Sequence, residues 1–294
     1  MRPAYARRLS LALAVLAAVL FVPPHAARAS DHADTPQLVS IGRHDARITD
    51  LFAFTSGDRL VLILNTNPAI PGSVVEYAWS ADLKIQIAID NDSPVSFSDA
   101  NANATFGGTI VNPAGIEEDI TFDIDVFKGA PRLKVKGIRG DYKKDIRFFA
   151  GLRDDPFIRG PQIGKNVAAM VIDLPLAAVI DDSSTLLLWG TSRVDDIVQT
   201  AEFVGRSLRS QLPAFLALND FHPSQHQSEL GLAPDVIIYD TNLPALFPNG
   251  RLLTDDVIDL VGVPAILASD APFPSANDVP FLAGFPYLAP PHLP

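Results

Sequence analysis

Residues 119–138 read DITFDIDVFKGAPRLKVKGI. In the first half, Phe122, Ile124 and Val126 alternate with Asp123 and Asp125. That period of two belongs to a strand with one buried face and one wet face. "GAPR" at 129–132 interrupts the alternation before it resumes in PRLKVKGI. The segment 120–138 is therefore expected to be a β-hairpin, with its turn at 129–132.

The same alternation extends to both sides. RITDLFAFT (47–55), DRLVLILNTN (58–67), DLKIQIAID (82–90) and DIRFFAG (145–151) all read as half-buried strands. NVAAMVIDLP (166–175) and STLLLWGTSR (184–193) are nearly continuous apolar runs, the pattern of strands covered on both faces. Helix is a minority expectation. GRSLRSQLPAFLAL (205–218) carries an apolar spacing interrupted by Pro213. LTDDVIDLVGV (253–263) opens with the cap and acids Thr254-Asp255-Asp256. The last 31 residues hold eight prolines with Phe273, Phe281, Phe285 and Tyr287 among them. Prolines block ladders while aromatics call for burial, so this is expected to be an extended tail packed over the domain. The fold expected is mainly β, a β-sandwich or barrel-like core with a few short C-terminal helices and a proline-rich tail.

The amino terminus has a different logic. Arg2, Arg7 and Arg8 precede an apolar run from Leu9 to Val22, Pro23 and Pro24 close it, and Ala27-Arg28-Ala29 follows. A run of 14 residues is shorter than the ~20 that span a bilayer. The order is that of a secretory signal peptide cut after Ala29. The expected organisation is thus a signal peptide at 1–29, one β-rich domain at 30–263 and the tail at 264–294. The protein is expected to be exported, periplasmic or extracellular, and not membrane-spanning.

The whole chain carries a net charge of −11. Removing residues 1–29 takes away four arginines and no acid, leaving −15. Such a surface repels nucleic acid and anionic membranes and suits cations. There is no cysteine, which excludes disulfides, thiol nucleophiles, c-type haem attachment and thiolate metal sites.

Several stretches together resemble the bacterial domain-of-unknown-function family 4331. They are SDHADTP (30–36), ITDLFAF (48–54), AIDND (88–92), FAGLRDDPF (149–157), LLWGTSR (187–193) and PNGRLLTDDVIDL (248–260). The set is in order and spans most of the chain beyond residue 29. The resemblance implies an exported protein without an established activity. Two departures stand out. Ala33-Asp34 replaces the family's Arg-Glu after the histidine, and Ser93-Pro94-Val95 replaces a glycine- and aspartate-containing loop.

Candidate site residues are few. Cleavage after Ala29 would leave Ser30-Asp31-His32 at the terminus. An amine, two amides and a third-position imidazole form a square-planar set favoured by Cu(II). The alternative is a His32 packed in the core. Asp90 and Asp92 flank Asn91 at a strand end and offer oxygens to Ca²⁺. Pro94 and the missing glycine favour a plain Asx turn there. Asp154 and Asp155 follow Arg153, either as a structural ion pair or as metal-ligating carboxylates; Asp50 joins the acidic set. His222, His226 and Glu229 have helical ligand spacing, although Pro223 favours a polar loop. GxSxG, P-loop and GxGxxG motifs are absent.

The expected function is an exported cell-envelope binding protein, with copper or calcium as the divalent metal. A small ligand or an envelope protein is the expected partner, and nucleic acid is not. The alternatives are a metal-assisted envelope enzyme, hydrolase or oxidoreductase, and a structural partner-binding β-domain without ligand. Convergence of His32, Asp50, Asp90 and Asp154 in one pocket would favour a metal protein or enzyme.

Overall fold

The structure is a computed structural model that describes residues 32, 35–156, 163–180, 182–195, 201–211, 213–257 and 276–294. The signal segment, Ser30, Asp31 and the greater part of the helix expected at 253–263 lie outside the described residues.

Among the described residues there are twelve strands: β1 (Ile48–Ser56), β2 (Arg59–Pro71), β3 (Leu83–Asp90), β4 (Val95–Ser96), β5 (Thr109–Ile110), β6 (Ile120–Phe127), β7 (Ala130–Lys136), β8 (Arg147–Asp154), β9 (Lys165–Pro175), β10 (Thr185–Val194), β11 (Glu202–Val204) and β12 (Ile237–Asp240). Three short α-helices accompany them among the same residues: α1 (Pro36–Ser40), α2 (Ala100–Phe106) and α3 (His226–Leu230). All named strand pairs are antiparallel. The first sheet runs β1-β2-β9-β8 and the second β11-β10-β3-β6-β7, with β12 on β10 beside β11. The two pack face to face as a sandwich, and a small β4-β5 pair stands apart.

The hairpin at 119–138 forms as β6 and β7, but its turn lies at Lys128-Gly129 rather than 129–132. Both residues have positive φ, 52° and 77°, as a two-residue hairpin loop with the sheet's twist requires. Gly129 supplies that conformation readily. Pro131 falls inside β7, an edge strand on which a missing N–H breaks no ladder.

Phe122 and Ile124 pair with Ile87 and Ile85 and face the first sheet. Leu64 and Phe122 are wholly buried, and each contributes about 1.5–3 kcal/mol relative to exposure. At Gly190 a side chain of the first sheet packs directly on the backbone of the second. A Cβ there would stand 2.5 Å from Leu64 Cδ1. On the other face of the second sheet, Asp123 and Asp125 meet Lys136, Lys134 and Lys84 in ion pairs. Further along, that face becomes apolar. Ala88, Leu187, Trp189 and Ile238 are covered there by Ile110 and Ile116 from the excursion between β3 and β6.

The helix expected at 205–218 is not formed as such. Leu208 has φ of 62°, and regular turns begin only in a 3₁₀ segment at Pro213–Asp220. The backbone amides of Gly205 and Arg206 donate to Asp235, and the Arg206 and Arg209 guanidiniums donate to the Ala233 and Pro234 carbonyls. Those tertiary bonds hold the segment as a loop.

Residues 276–294 pack on the first sheet. The strand register places Phe54, Val61, Asp173 and Arg147 in one row across β1, β2, β9 and β8. Tyr287 lies over this row, edge-on to Phe54 at 5.7 Å, and its hydroxyl donates to Asp173 at 2.7 Å. Asp173 also pairs with Arg59 and Arg147. Leu288 and Ala289 are wholly buried.

Candidate metal group at the end of β8

Asp154 closes β8 and is completely buried. Its ladder partner on β9 is Asn166. The tail docks on these two residues. Asn166 accepts the His292 amide at 2.8 Å and donates to the His292 carbonyl at 3.0 Å. The Asp154 amide donates to the Ala289 carbonyl at 3.3 Å. These backbone contacts bring His292 Nε2 to 2.8 Å from Asp154 Oδ1 and 3.4 Å from Asp278 Oδ2. The Asn277 side chain donates to Asp154 Oδ2, and the Gly164 amide donates to Asp278 at 2.8 Å. Burial pushes the Asp154 carboxyl up to about 7. The Asn277 hydrogen bond opposes the shift, the Asp278 charge adds to it, and His292 opposes it.

One imidazole and two carboxylates thus offer donor atoms within 4.8 Å of one another. A mixed nitrogen and oxygen set suits a first-row divalent metal such as Zn(II) or Mn(II). The imidazole nitrogen counts against Ca²⁺, a hard cation that takes oxygen ligands. A cation would also compensate the buried carboxylate.

Asp90, Asp92 and Asp119 form a second acidic group. Here Asp90 and Asp119 accept backbone amides. Asp90 Oδ1 accepts from the Ser93 amide at 2.8 Å and the Asp92 amide at 3.3 Å, and Oδ2 accepts from Glu117 at 3.2 Å. Asp119 accepts from the Asn91 amide at 3.0 Å, while the Asn91 side chain donates to Val179 at 2.7 Å. Burial raises the Asp119 pKa, with the charges of Asp90, Asp92 and Glu117 adding to the shift. This is an Asx-type turn closing β3.

The remaining nominated residues are dispersed. Asp50 is buried on β1, 3.2 Å from Arg251. His32 is 1% exposed, and burial lowers its pKa to about 4, against the charge of Asp235. A terminal copper chelate through this imidazole would require it to leave its buried seat. Asp155 is buried, and its amide donates to Lys165 at 3.1 Å. Among the described residues, no group of three metal-capable side chains unites His32, Asp50, Asp90 and Asp154. His222 and His226 do not share a helix face. His222 caps the turn before Pro223 and lies 3.3 Å from Glu118. Both His226 ring nitrogens are committed: Nδ1 accepts from Asp235, and Nε2 meets the Leu218 and Phe221 carbonyls.

Comparison with protein families, curated proteins and solved structures returns no match. The site is therefore defined by its own geometry. Sequence reasoning reached Asp154 but missed Asp278, His292 and Asn277. The signal was faint: a polar Ser-Ala-Asn-Asp at 275–278 and a lone histidine within an otherwise apolar proline-rich tail.

Proposed function

We propose that this chain is an exported binding protein of the cell envelope, related to family 4331, that holds a divalent metal ion between β8 and its own C-terminal tail. Asp154, Asp278 and His292 are the ligands in this reading. The observation that carries it is the buried Asp154 carboxylate meeting an imidazole and a second carboxylate drawn from a segment more than 120 positions away. The order of charged, apolar and small residues before Ser30 supports export. Water would complete the coordination sphere, since three protein ligands leave positions open.

The test is elemental analysis of the untagged exported protein, followed by titration with Zn(II) and Mn(II). His292→Ala and Asp278→Asn should each weaken binding at least tenfold. Intact mass should place Ser30 first. If neither substitution changes metal content, the group is only a pin that fastens the tail, and the metal reading fails.

A further inference from the structure

A different chemical environment lies beneath α2 and shares no residue with the Asp154 group. Asp99 caps α2 by accepting from the Asn101 and Ala102 amides, and Gly107 ends the helix in the left-handed region at φ of 79°. Ala102 and Phe106, one turn apart, point to the same side. With Ile110, Pro234 and Ile238 they wall a cavity of about 180 Å³. Exposed Thr109 is also among its walls, so the cavity meets solvent.

Arg206 and Gln227 are the polar side chains in the lining besides Thr109, and the Arg206 side chain is 7% exposed. One terminal nitrogen donates to the Pro234 carbonyl at 2.8 Å. The Nε makes no hydrogen bond, and the Asp235 carboxylate stands 3.7 Å from it. The guanidinium lies 4.4 Å from the centre of the Phe106 ring, with Arg209 5.4 Å from the same ring. Arg209 spends its terminal nitrogens on the Ala233 and Pro234 carbonyls. Two guanidiniums therefore share one carboxylate, and Asp235 already accepts the Gly205 and Arg206 amides. Buried His226 adds no carboxylate to the balance. Among the described residues, Asp235 is the carboxylate that faces both guanidiniums, so one positive charge is in excess there beside a largely apolar cavity. Such a charge is costly in a poorly solvated wall, and an anion held against it restores neutrality.

We infer that this cavity binds a small organic monoanion, a carboxylate whose apolar body is about one ring in size. An apolar cavity of ~150 Å³ accommodates benzene, which sets the scale. Phe106, Ile110 and Ile238 would contact the ring, and Arg206 would meet the carboxylate.

Calorimetric titration of the full exported chain with benzoate, benzyl alcohol and benzylamine tests shape against charge. Benzoate should bind at least tenfold more tightly than the alcohol, and benzylamine more weakly than either. Ala102→Phe fills the cavity from a half-buried helix position. It should abolish benzoate binding while leaving the melting curve and the metal titration unchanged. Arg206→Met should remove the preference for benzoate over the alcohol. Equal binding of all three compounds would overturn the inference. So would benzoate binding that survives Ala102→Phe, or no benzoate binding at millimolar concentration. Loss of the metal reading leaves this result untouched.

Discussion

Asp50 and Arg251 stand 201 positions apart in the chain and 3.2 Å apart in the fold, both buried. Around them, Ala53 and Arg251 exchange backbone hydrogen bonds at 3.2 and 2.8 Å, and the guanidinium lies 4.0 Å from the centre of the Phe52 ring. The pair fastens the start of the first strand to the segment beyond β12. Burial works against both charges. It raises the Asp50 pKa to about 7 and lowers that of Arg251 to about 9.

Removing one partner leaves the other charge buried without compensation. Arg251→Met should therefore cost about 3–5 kcal/mol in urea unfolding. Adding Asp50→Asn to that variant should restore part of the loss. A single variant as stable as the parent would show that the pair contributes little.

His32 makes stability depend on pH in a defined direction. The unfolded chain binds a proton near the ordinary histidine value of 6.5, whereas the folded chain resists it until about 4. The contribution is full above about pH 6.5 and is lost as pH falls through 4. It amounts to about 3 kcal/mol. Urea midpoints at pH 7 and pH 4.5 should differ less for His32→Gln than for the parent. Identical pH dependence in the two proteins would remove His32 from the account.

Tyr287 donates to a carboxylate that also faces two guanidiniums. Hydrogen bonds to charged groups are worth about 1.5–3 kcal/mol. Tyr287→Phe should lower stability by roughly that amount. It should also speed carboxypeptidase digestion of the tail. Unchanged melting and digestion would argue that the aromatic packing alone holds this segment.

The Asp90 turn should behave as structure and not as a calcium site. Calcium titration should show no binding tighter than millimolar. Asp90→Ala, which strands three backbone amides, should cost about 1–3 kcal/mol. Submicromolar calcium binding that vanishes in Asp92→Ala would reverse this assignment.

The longer strands were legible in sequence because each carries an alternation or a continuous apolar run; β4, β5, β11 and β12 are too short to show either. Phe122-Ile124 and the run around Leu187 announce their faces without reference to any partner. Strand order was not legible, because β10 pairs with β3 across about a hundred residues of chain and no local pattern encodes that choice. Helix α2 was hidden by its small polar composition; only the Asp99 cap and Gly107 stop mark it. Two of the three candidate ligands were hidden for the same reason as the topology. Asp154 sits in a recognisable strand end, but His292 becomes its neighbour only through the docking of the tail on Asn166.

That docking sets an order of events during synthesis. Tyr287 leaves the ribosome 114 positions after Asp173, and His292 138 positions after Asp154. Over that interval both carboxylates, wholly buried in the finished fold, remain in water. Their burial is a late step, taken by a segment that arrives after the strands it closes over.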